Sequence, residues 1–487
     1  MQIKNYLKIS LSFYSDVKEL AEDNVSIIIC ASESQLKQFE PRPLLSEKVR
    51  LTMEKKKDNI LSFYAEKQYF ILANSSKETE NWRNIGANLY HKLKEEKFQN
   101  AHITGLGSLE TNYKFAFLEG LLLSSYQFDK YKKPVDTPQI TISIAEKTID
   151  DIDLSELNSI VNAVSLAKTL VNEPVNFLDA TKFSEIIVES GKLFGFDTKI
   201  LHKKEIKELK MGGLLAVNQG SSAPPTFNIM KYTPANALNK QPLVLVGKGV
   251  TFDTGGYSLK TSGSMPGMKS DMAGGAAVLG IISAIAQNKL PYQVIGLVPA
   301  TDNKVSANAI VVDDIITMMD GTTVEIKNTD AEGRLILGDA LTYAKRFEPE
   351  LVIDIATLTG AAATVTGHFG IAMVGTANEK MNELSVSGEN VYERLIQLPY
   401  WDEFKDLLKS DVADLKNIGG PIGGGSTAGK FLEHFTDYPW IHLDIAGAAF
   451  INDASGYKQS GGTGVAVRLI YDYLKNQIAH LEKENFN

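Results

Sequence analysis

The chain has 487 residues, 44% hydrophobic and 22% charged, too many for one ordinary core and enough for two or three globular domains. Fifty basic against 59 acidic side chains leave a net charge of -9, which argues against nucleic acid or an anionic membrane as partner. A single cysteine, Cys30, excludes an intramolecular disulfide and any cysteine-rich metal site, and suits a reducing cytoplasm.

The first twenty residues, MQIKNYLKISLSFYSDVKEL, carry Lys4, Lys8 and Asp16 among their apolar positions, so no secretion leader is expected. From Met1 to about Ile149, short strand-like runs (VSIIICA, QYFILAN, QITISIA) alternate with a helical pattern (ETENWRNIGANLYHKLKEEKF). They predict a small N-terminal α/β domain over residues 1–150. Next, Leu154, Leu157, Ile160, Val161, Val164 and Leu170 recur at helical spacing, with Ser155 as candidate cap and Pro174 beyond the end. This spacing predicts a linking helix within residues 151–173.

The texture changes over residues 174–487. The runs PLVLVGKGV, YQVIGLVPA and LVIDIATLTG are apolar, contain β-branched residues and lack polar alternation, as buried strands of a mostly parallel sheet do. Helical patterns lie between them (MAGGAAVLGIISAIAQNK, RLILGDALTYAKRF). The expected architecture is therefore a larger α/β domain whose central, mostly parallel sheet is flanked by helices, with ligand sites beyond the carboxyl ends of the strands. The apolar run Ala273 to Gln287 is shorter than the roughly 20 residues of a membrane helix and contains glycines, so it reads as a buried helix. IGGPIGGG, Ile418 to Gly425, reads as a flexible loop.

Strand ends bring carboxylates. After VLVG come Lys248, Asp253 and Lys260; Asp271 stands at the head of the apolar helix; Asp330 and Glu332 follow the alternating TTVEI run. Four carboxylates at one sheet edge would repel unless cations sat among them, and two divalent ions about 3.5–4 Å apart call for roughly this much negative charge. None of the seven histidines falls between Val246 and Leu341, so a histidine-based HExxH zinc site is not expected. Taken singly these residues have blander uses: an Asp at a helix start is commonly an N-cap, Met268 could be ordinary core, and Asp-x-Glu-x-Arg is commonly a solvated turn.

In company they say more. VGKGVTFDTGGYSLK, MKSDMAGGAAV and NTDAEGRLILGDAL, in that order, resemble the signature of the leucine aminopeptidases, the cytosol aminopeptidase family of binuclear metallopeptidases. LVNEPVNFL, LLAVNQGSSAPP, VIDIATLTGA, LPYWDEF, SDVADLKNIGG and HLDIAGAAF extend the resemblance over roughly residues 165 to 475. It implies a metal-dependent leucyl aminopeptidase that removes N-terminal, preferably apolar, residues from short peptides, with metal-bound hydroxide as nucleophile and residues 174–487 as the catalytic domain. Residue by residue, it makes Lys248, Asp253, Asp271, Asp330 and Glu332 metal ligands, Asp253 and Glu332 being shared by both ions. Lys260 and Arg334 become the catalytic pair, and Met268, Thr357, Leu358 and Gly360 surround the substrate.

The implied cofactors are two divalent ions per subunit, zinc or manganese first and magnesium or cobalt as alternatives, with a bicarbonate anion at Arg334 as proton shuttle. The implied assembly is a cytoplasmic homohexamer. Period-two spacing would put Asp330, Glu332 and Arg334 on one side of an extended segment. Two features depart from the pattern: Tyr257 replaces an aliphatic residue, and GPIGGGSTAGKFL is richer in glycine than its usual counterpart. Two rivals are a two-metal phosphoesterase, for which phosphate cradles are lacking, and a DNA-binding regulator, which the net charge disfavours.

Overall fold

The structure is a computed structural model that describes residues 7–14, 25–30, 60–65, 68–73, 78–133, 139–145 and 153–486. Most of the N-terminal stretch considered as a leader, and the Asp151–Ile152 entry to the linking helix, lie outside these residues. The chain divides into two compact units, Asn5–Val161 with Ala454–Gln459, and Asn162–Asp453 with Ser460–Asn487 and the first four residues.

The smaller unit holds a six-stranded sheet built from β1 (Ile9–Tyr14), β2 (Val25–Cys30), β3 (Ile60–Ala65), β4 (Gln68–Ala73), β5 (Asn100–Thr104) and β6 (Ile140–Ala145). Its order is β1-β6-β5-β2-β4-β3, parallel except for the antiparallel β3/β4 pair. Helices α1 (Thr79–Glu95) and α2 (Thr111–Ser124) cross at two glycines. A Cβ on Gly86 would lie 2.0 Å from Phe117 O, and one on Gly120 would lie 1.9 Å from Arg83 O, so only glycine permits this approach. Beside the crossing, Arg83 Nε pairs with Glu119 Oε2 at 2.5 Å.

A helix, α3 (Leu154–Asn172), occupies the described part of residues 151–173, but its cap is not Ser155. Asp153 Oδ1 accepts from Ser155 N (2.7 Å) and Glu156 N (3.0 Å), because a carboxylate one residue outside the first turn reaches those free N–H groups.

The larger unit carries helix α4 (Ala180–Phe194) and is organised by a nine-stranded mixed sheet. Its early strands are β7 (Asp197–Leu201), β8 (Thr226–Tyr232), β9 (Leu243–Gly247), β10 (Gly249–Asp253) and β11 (Val294–Asn303). Two short strands, β12 (Ile315–Thr317) and β13 (Thr323–Glu325), leave it for a small side sheet. The chain returns as β14 (Leu351–Ala356), β15 (Ile371–Gly375) and β16 (Leu395–Gln397), adds β17 (Leu415–Lys416) to the side sheet, and re-enters as β18 (Trp440–Asp444). The order is β16-β15-β18-β14-β9-β11-β8-β7, with β10 extending alongside β11. The central β18, β14, β9 and β11 run parallel, and antiparallel pairs lie to either side.

Alternation along β9 explains the layers. Val244 and Val246 join a core with Leu335, Leu337, Phe431, Phe435 and Trp440, beneath α6 (Gly333–Ala344) and the later helix Gly424–Glu433. The opposite face of the same strands meets α5 (Ala273–Gln287), every residue of which up to Ala286 is buried. With its preceding 3-10 turn this helix spans Met268–Gln287, 20 residues, long and apolar enough to cross a membrane. Since 94% of its most apolar 18-residue window is buried inside the protein, it is a core helix. The stretch is longer than the sequence alone suggests, because the turn at Met268–Met272 continues the helical path.

Candidate functional site

The parallel strands β9, β14 and β18 end at one crevice of about 500 Å³, which Asp253 at the end of β10 also lines. Lys248 follows β9 between two glycines, and its buried side chain runs under the start of α6. There Gly333 leaves room for it: a Cβ would lie 2.5 Å from Lys248 Cε, so a larger residue would have to displace the lysine side chain. Lys248 Nζ reaches Asp271 Oδ1 (2.7 Å), Glu332 Oε1 (2.8 Å) and Thr357 O (2.9 Å).

Asp253 closes β10 and is oriented by two donors to Oδ1, Gly255 N (2.9 Å) and Asn303 Nδ2 (2.8 Å). The turn after it needs Gly255 in the left-handed region (φ 87°), where an added Cβ would also meet Asp330 Oδ1 at 2.9 Å. This turn returns Lys260, whose Nζ pairs with Asp253 Oδ2 (2.8 Å) and Asp330 Oδ1 (2.6 Å).

Asp271 is not the cap of α5. Met272 occupies that position, and the Asp271 carboxylate turns instead to Lys248 and to Thr357 Oγ1 (2.8 Å). The strand before Asp330 and Glu332 is the three-residue β13 of the side sheet, not a strand of the main sheet. Nor is the motif extended through Arg334. Residues 329–330 form a turn, Glu332 is already in helical conformation, and Arg334 lies in the first turn of α6. Period-two spacing misleads here because the apolar residues Leu335, Ile336 and Leu337 start the helix early, drawn into the core beneath it.

The electrostatics follow from burial and crowding. Asp253, Asp330 and Glu332 each offer an oxygen within 4.8 Å of the others, and Asp271 joins them through Lys248. Burial and the neighbouring carboxylates Glu332 and Asp253 raise Asp271 well above the usual range despite the Lys248 ammonium. Burial and the charge of Asp253 push Asp330 up to about 6, with Lys260 opposing. Burial alone would lower both lysines, but the carboxylates around them outweigh it and hold Lys248 and Lys260 above the ordinary lysine range.

Two ammonium groups thus serve four carboxylates. Asp271 Oδ2 is buried with no hydrogen-bond partner, and Asp330 Oδ1 and Glu332 Oε1 have ion-pair contacts but no well-directed hydrogen bond. Surplus negative charge on hard oxygen donors, with a lysine amine among them, suits divalent cations.

Arg334 is buried, donates from Nη1 to Asn417 O (2.7 Å) and lies 6.0 Å from the Phe431 ring. Met268, Thr357, Leu358 and Gly360 line the same crevice. The loop that carries Thr357 to Gly360 is held by Asp444 at the end of β18. Its Oδ1 accepts from Leu358 N (3.1 Å) and its Oδ2 from Thr359 Oγ1 (2.7 Å). Ile418 to Pro421 complete the wall, but the glycine-rich run is loop only in part, since a helix begins at Gly424. Tyr257 is half-exposed and donates to Ser306 O (3.0 Å).

Three residues that bear on the site were not singled out from sequence: Asn303, Asn417 and Asp444. Each is one polar residue at or near a strand end, and the only signal was that two of them fall in SDVADLKNIGG and HLDIAGAAF.

The cytosol aminopeptidase family catalytic-domain model matches residues 165–471. A probable cytosol aminopeptidase of Chlorobium phaeobacteroides is 39% identical over 499 residues, covering 95% of this chain and 98% of that protein, so its likeness reaches into the N-terminal unit. One from Chlorobaculum tepidum is 46% identical over 376 residues, 74% of each chain. Among solved structures, the bottromycin maturation enzyme BotP in complex with Mn superposes with a TM-score of 0.83 at 28% identity, covering 94% of this chain and all of that one. A family model matched over more than half the chain, and a relative aligned over nearly all of it, place the protein in the cytosol aminopeptidase family, and with it among the metal-dependent aminopeptidases.

Proposed function

We propose that the protein removes N-terminal residues, preferentially apolar and leucine-like ones, from short peptides in the cytoplasm, using two divalent ions held by Lys248, Asp253, Asp271, Asp330 and Glu332. The observation that carries this reading is the convergence of Asp253, Asp330 and Glu332 within 4.8 Å, in the lining of a crevice that also holds Met268, Leu358 and several small residues. Zinc or manganese suits a donor set of carboxylates and one amine, and a structural neighbour is described with manganese.

Such ions supply a Lewis acid for water activation and a ligand position for a free α-amine. The chain's own groups do the rest. Lys248 can act as a ligand only as the neutral amine, and a dication beside it would reverse the carboxylate effect that now holds it protonated. Lys260, partly exposed to the crevice, presents its ammonium to the oxyanion that develops at the scissile carbonyl. Buried Arg334, whose Nε has no hydrogen-bond partner, would hold a bicarbonate anion, which would supply the general base that no histidine lining the crevice can provide. Met268, Thr357, Leu358 and Gly360 receive the first residue and its backbone. Self-association as a hexamer is supported by exposed apolar side chains between Val305 and Ile315.

Leu-amide and N-acetyl-Leu-amide decide the matter. Acetylation removes the lone pair that would coordinate, so the free amide should turn over and the acetylated one should be rejected by a factor on the order of 10⁴. Comparable rates for the two, or faster cleavage of p-nitrophenyl phosphate than of Leu-p-nitroanilide, would exclude an aminopeptidase.

A further inference from the structure

Arg334 depends on one carbonyl. Among the described residues its side chain makes a single hydrogen bond, from Nη1 to Asn417 O at 2.7 Å. Asn417 is wholly buried although it stands at the root of the crevice-lining glycine-rich loop. Its amide explains why. Oδ1 accepts from Lys327 N (2.8 Å) and Asn328 N (3.3 Å), while Nδ2 donates to Asn328 O (2.7 Å) and, at 3.5 Å, to Ala331 O. Its backbone N donates to Glu325 O (3.0 Å). A carboxamide combines donors and acceptors on one short planar group and can bind both sides of that turn.

The carboxylate turn has separate support. Thr329 Oγ1 donates to Gly255 O (2.6 Å) and accepts from Ser258 N (2.7 Å), Thr329 N donates to Ser258 Oγ (3.1 Å), and Asn303 Nδ2 donates to Thr329 O (3.1 Å). Losing the Asn417 amide would leave Asp330 anchored from the Gly255 side, while the carbonyl under Arg334 would lose its fixed place.

We propose that Asn417 is a positioning residue for Arg334: its side chain locks the backbone whose carbonyl aims the guanidinium into the crevice. The inference rests on the aminopeptidase reading for what Arg334 does. A displacement of about 1 Å in a catalytic constellation costs on the order of 10²-fold in rate.

The test compares N417A with D414A. Asp414 Oδ2 accepts from Thr323 N (2.8 Å) and Thr323 Oγ1 (2.7 Å), so it braces the same β13–β17 junction without touching Arg334 in any described bond. With Leu-p-nitroanilide, N417A should lose about tenfold or more in kcat with KM changed by less than about twofold, whereas D414A should keep its kcat whatever it loses in Tm. Both should retain the wild-type rise in Tm on adding manganese. In an R334A background, N417A should lower kcat no further.

The proposal is overturned if N417A matches the wild type or D414A in kcat, if N417A alone loses the manganese response, or if its loss multiplies in full with that of R334A. Should N417A fail to fold, N417D, which keeps the accepting oxygen, is judged by the same criteria. A wild-type protein inert towards Leu-p-nitroanilide would sink the aminopeptidase reading, and this inference with it; an active wild type with an unaffected N417A would sink this inference alone.

Discussion

Two clusters of charge are built around the same sheet, and they differ in how fully their carboxylates are partnered. In the first, Asp253, Asp271, Asp330 and Glu332 share the ammonium groups of Lys248 and Lys260, border an open crevice and leave Asp271 Oδ2 without a partner. In the second, on β14 and β18, Asp354 accepts from Trp440 Nε1 (2.8 Å) and lies 2.6 Å from His442 Nδ1, Asp444 accepts from Leu358, Ala446 and Thr359, and the unpartnered buried atom is a ring nitrogen, His442 Nε2, not a carboxylate oxygen. Asp354 and His442 do not line the crevice. Burial of charge therefore does not by itself distinguish a binding site from a brace. Unbalanced charge facing a cavity does, because such a cluster is poorly stable alone and gains most from added cations.

The largest effect should come from altering the unbalanced cluster at its most enclosed oxygen donor. Glu332→Gln keeps volume and removes one charge, so metal content should fall and turnover be abolished while circular dichroism stays native. A Gln variant with full metal content and near-normal turnover would place the ligands elsewhere. Lys260→Ala comes next. It should keep its metal and lose about 10²–10³-fold in kcat, the usual consequence of removing one oxyanion donor. If only KM rose, Lys260 would bind substrate and transition state alike.

The first cluster was far more legible in the sequence than the second. Lysines and carboxylates in GKGVTFD, MKSDMAGG and NTDAEGR stand in unusual local company, and parallel-strand patterns place two of these segments at sheet ends. The path through them was not legible in full. Period-two spacing put Arg334 on an extended segment although RLILGDALTYAKRF also read as helical, and the helix won; an Asp at a helix head is a common cap, but Asp271 is held instead by Lys248 and Thr357. Asp354, His442 and Asp444 lie in apolar strands where spacing reports only burial, and their pairing depends on the β14/β18 register of Asp354 with His442. Register between strands almost ninety residues apart has no local signature. In the smaller unit, VSIIICA and QYFILAN read as strands, but α2 carried too little periodicity to be anticipated, and β1, although Ile9, Leu11 and Phe13 alternate with serines, and β3 were not among the expected strands.

The smallest effect on turnover is expected in the balanced cluster, at His442, where the informative quantity is stability against pH. Burial alone would lower the His442 pKa, but the Asp354 charge and hydrogen bond outweigh it, Asp444 adds to them and Arg334 opposes, so the imidazole is held above its ordinary value. A group whose folded pKa is raised contributes stability that is fully present below its unfolded pKa, about 6.5 for histidine, and is lost as pH rises through the folded value. His442→Gln removes that titration and keeps one donor for Asp354. Breaking a buried pair outright costs about 3–5 kcal/mol, so Gln should cost less. The difference in unfolding free energy between wild type and His442→Gln should be widest below about pH 6.5 and narrow as pH rises above the folded pKa. Denaturant titrations of both proteins from mildly acid to alkaline pH, with chelator present, keep metal binding out of the comparison, and the carboxylates of the first cluster largely cancel in the difference. Turnover measured on the metal-loaded variant should suffer far less than that of Lys260→Ala. A gap that stays flat or widens with pH would mean that His442 is buried neutral, and that the second cluster carries an uncompensated Asp354 as the first carries its surplus carboxylates.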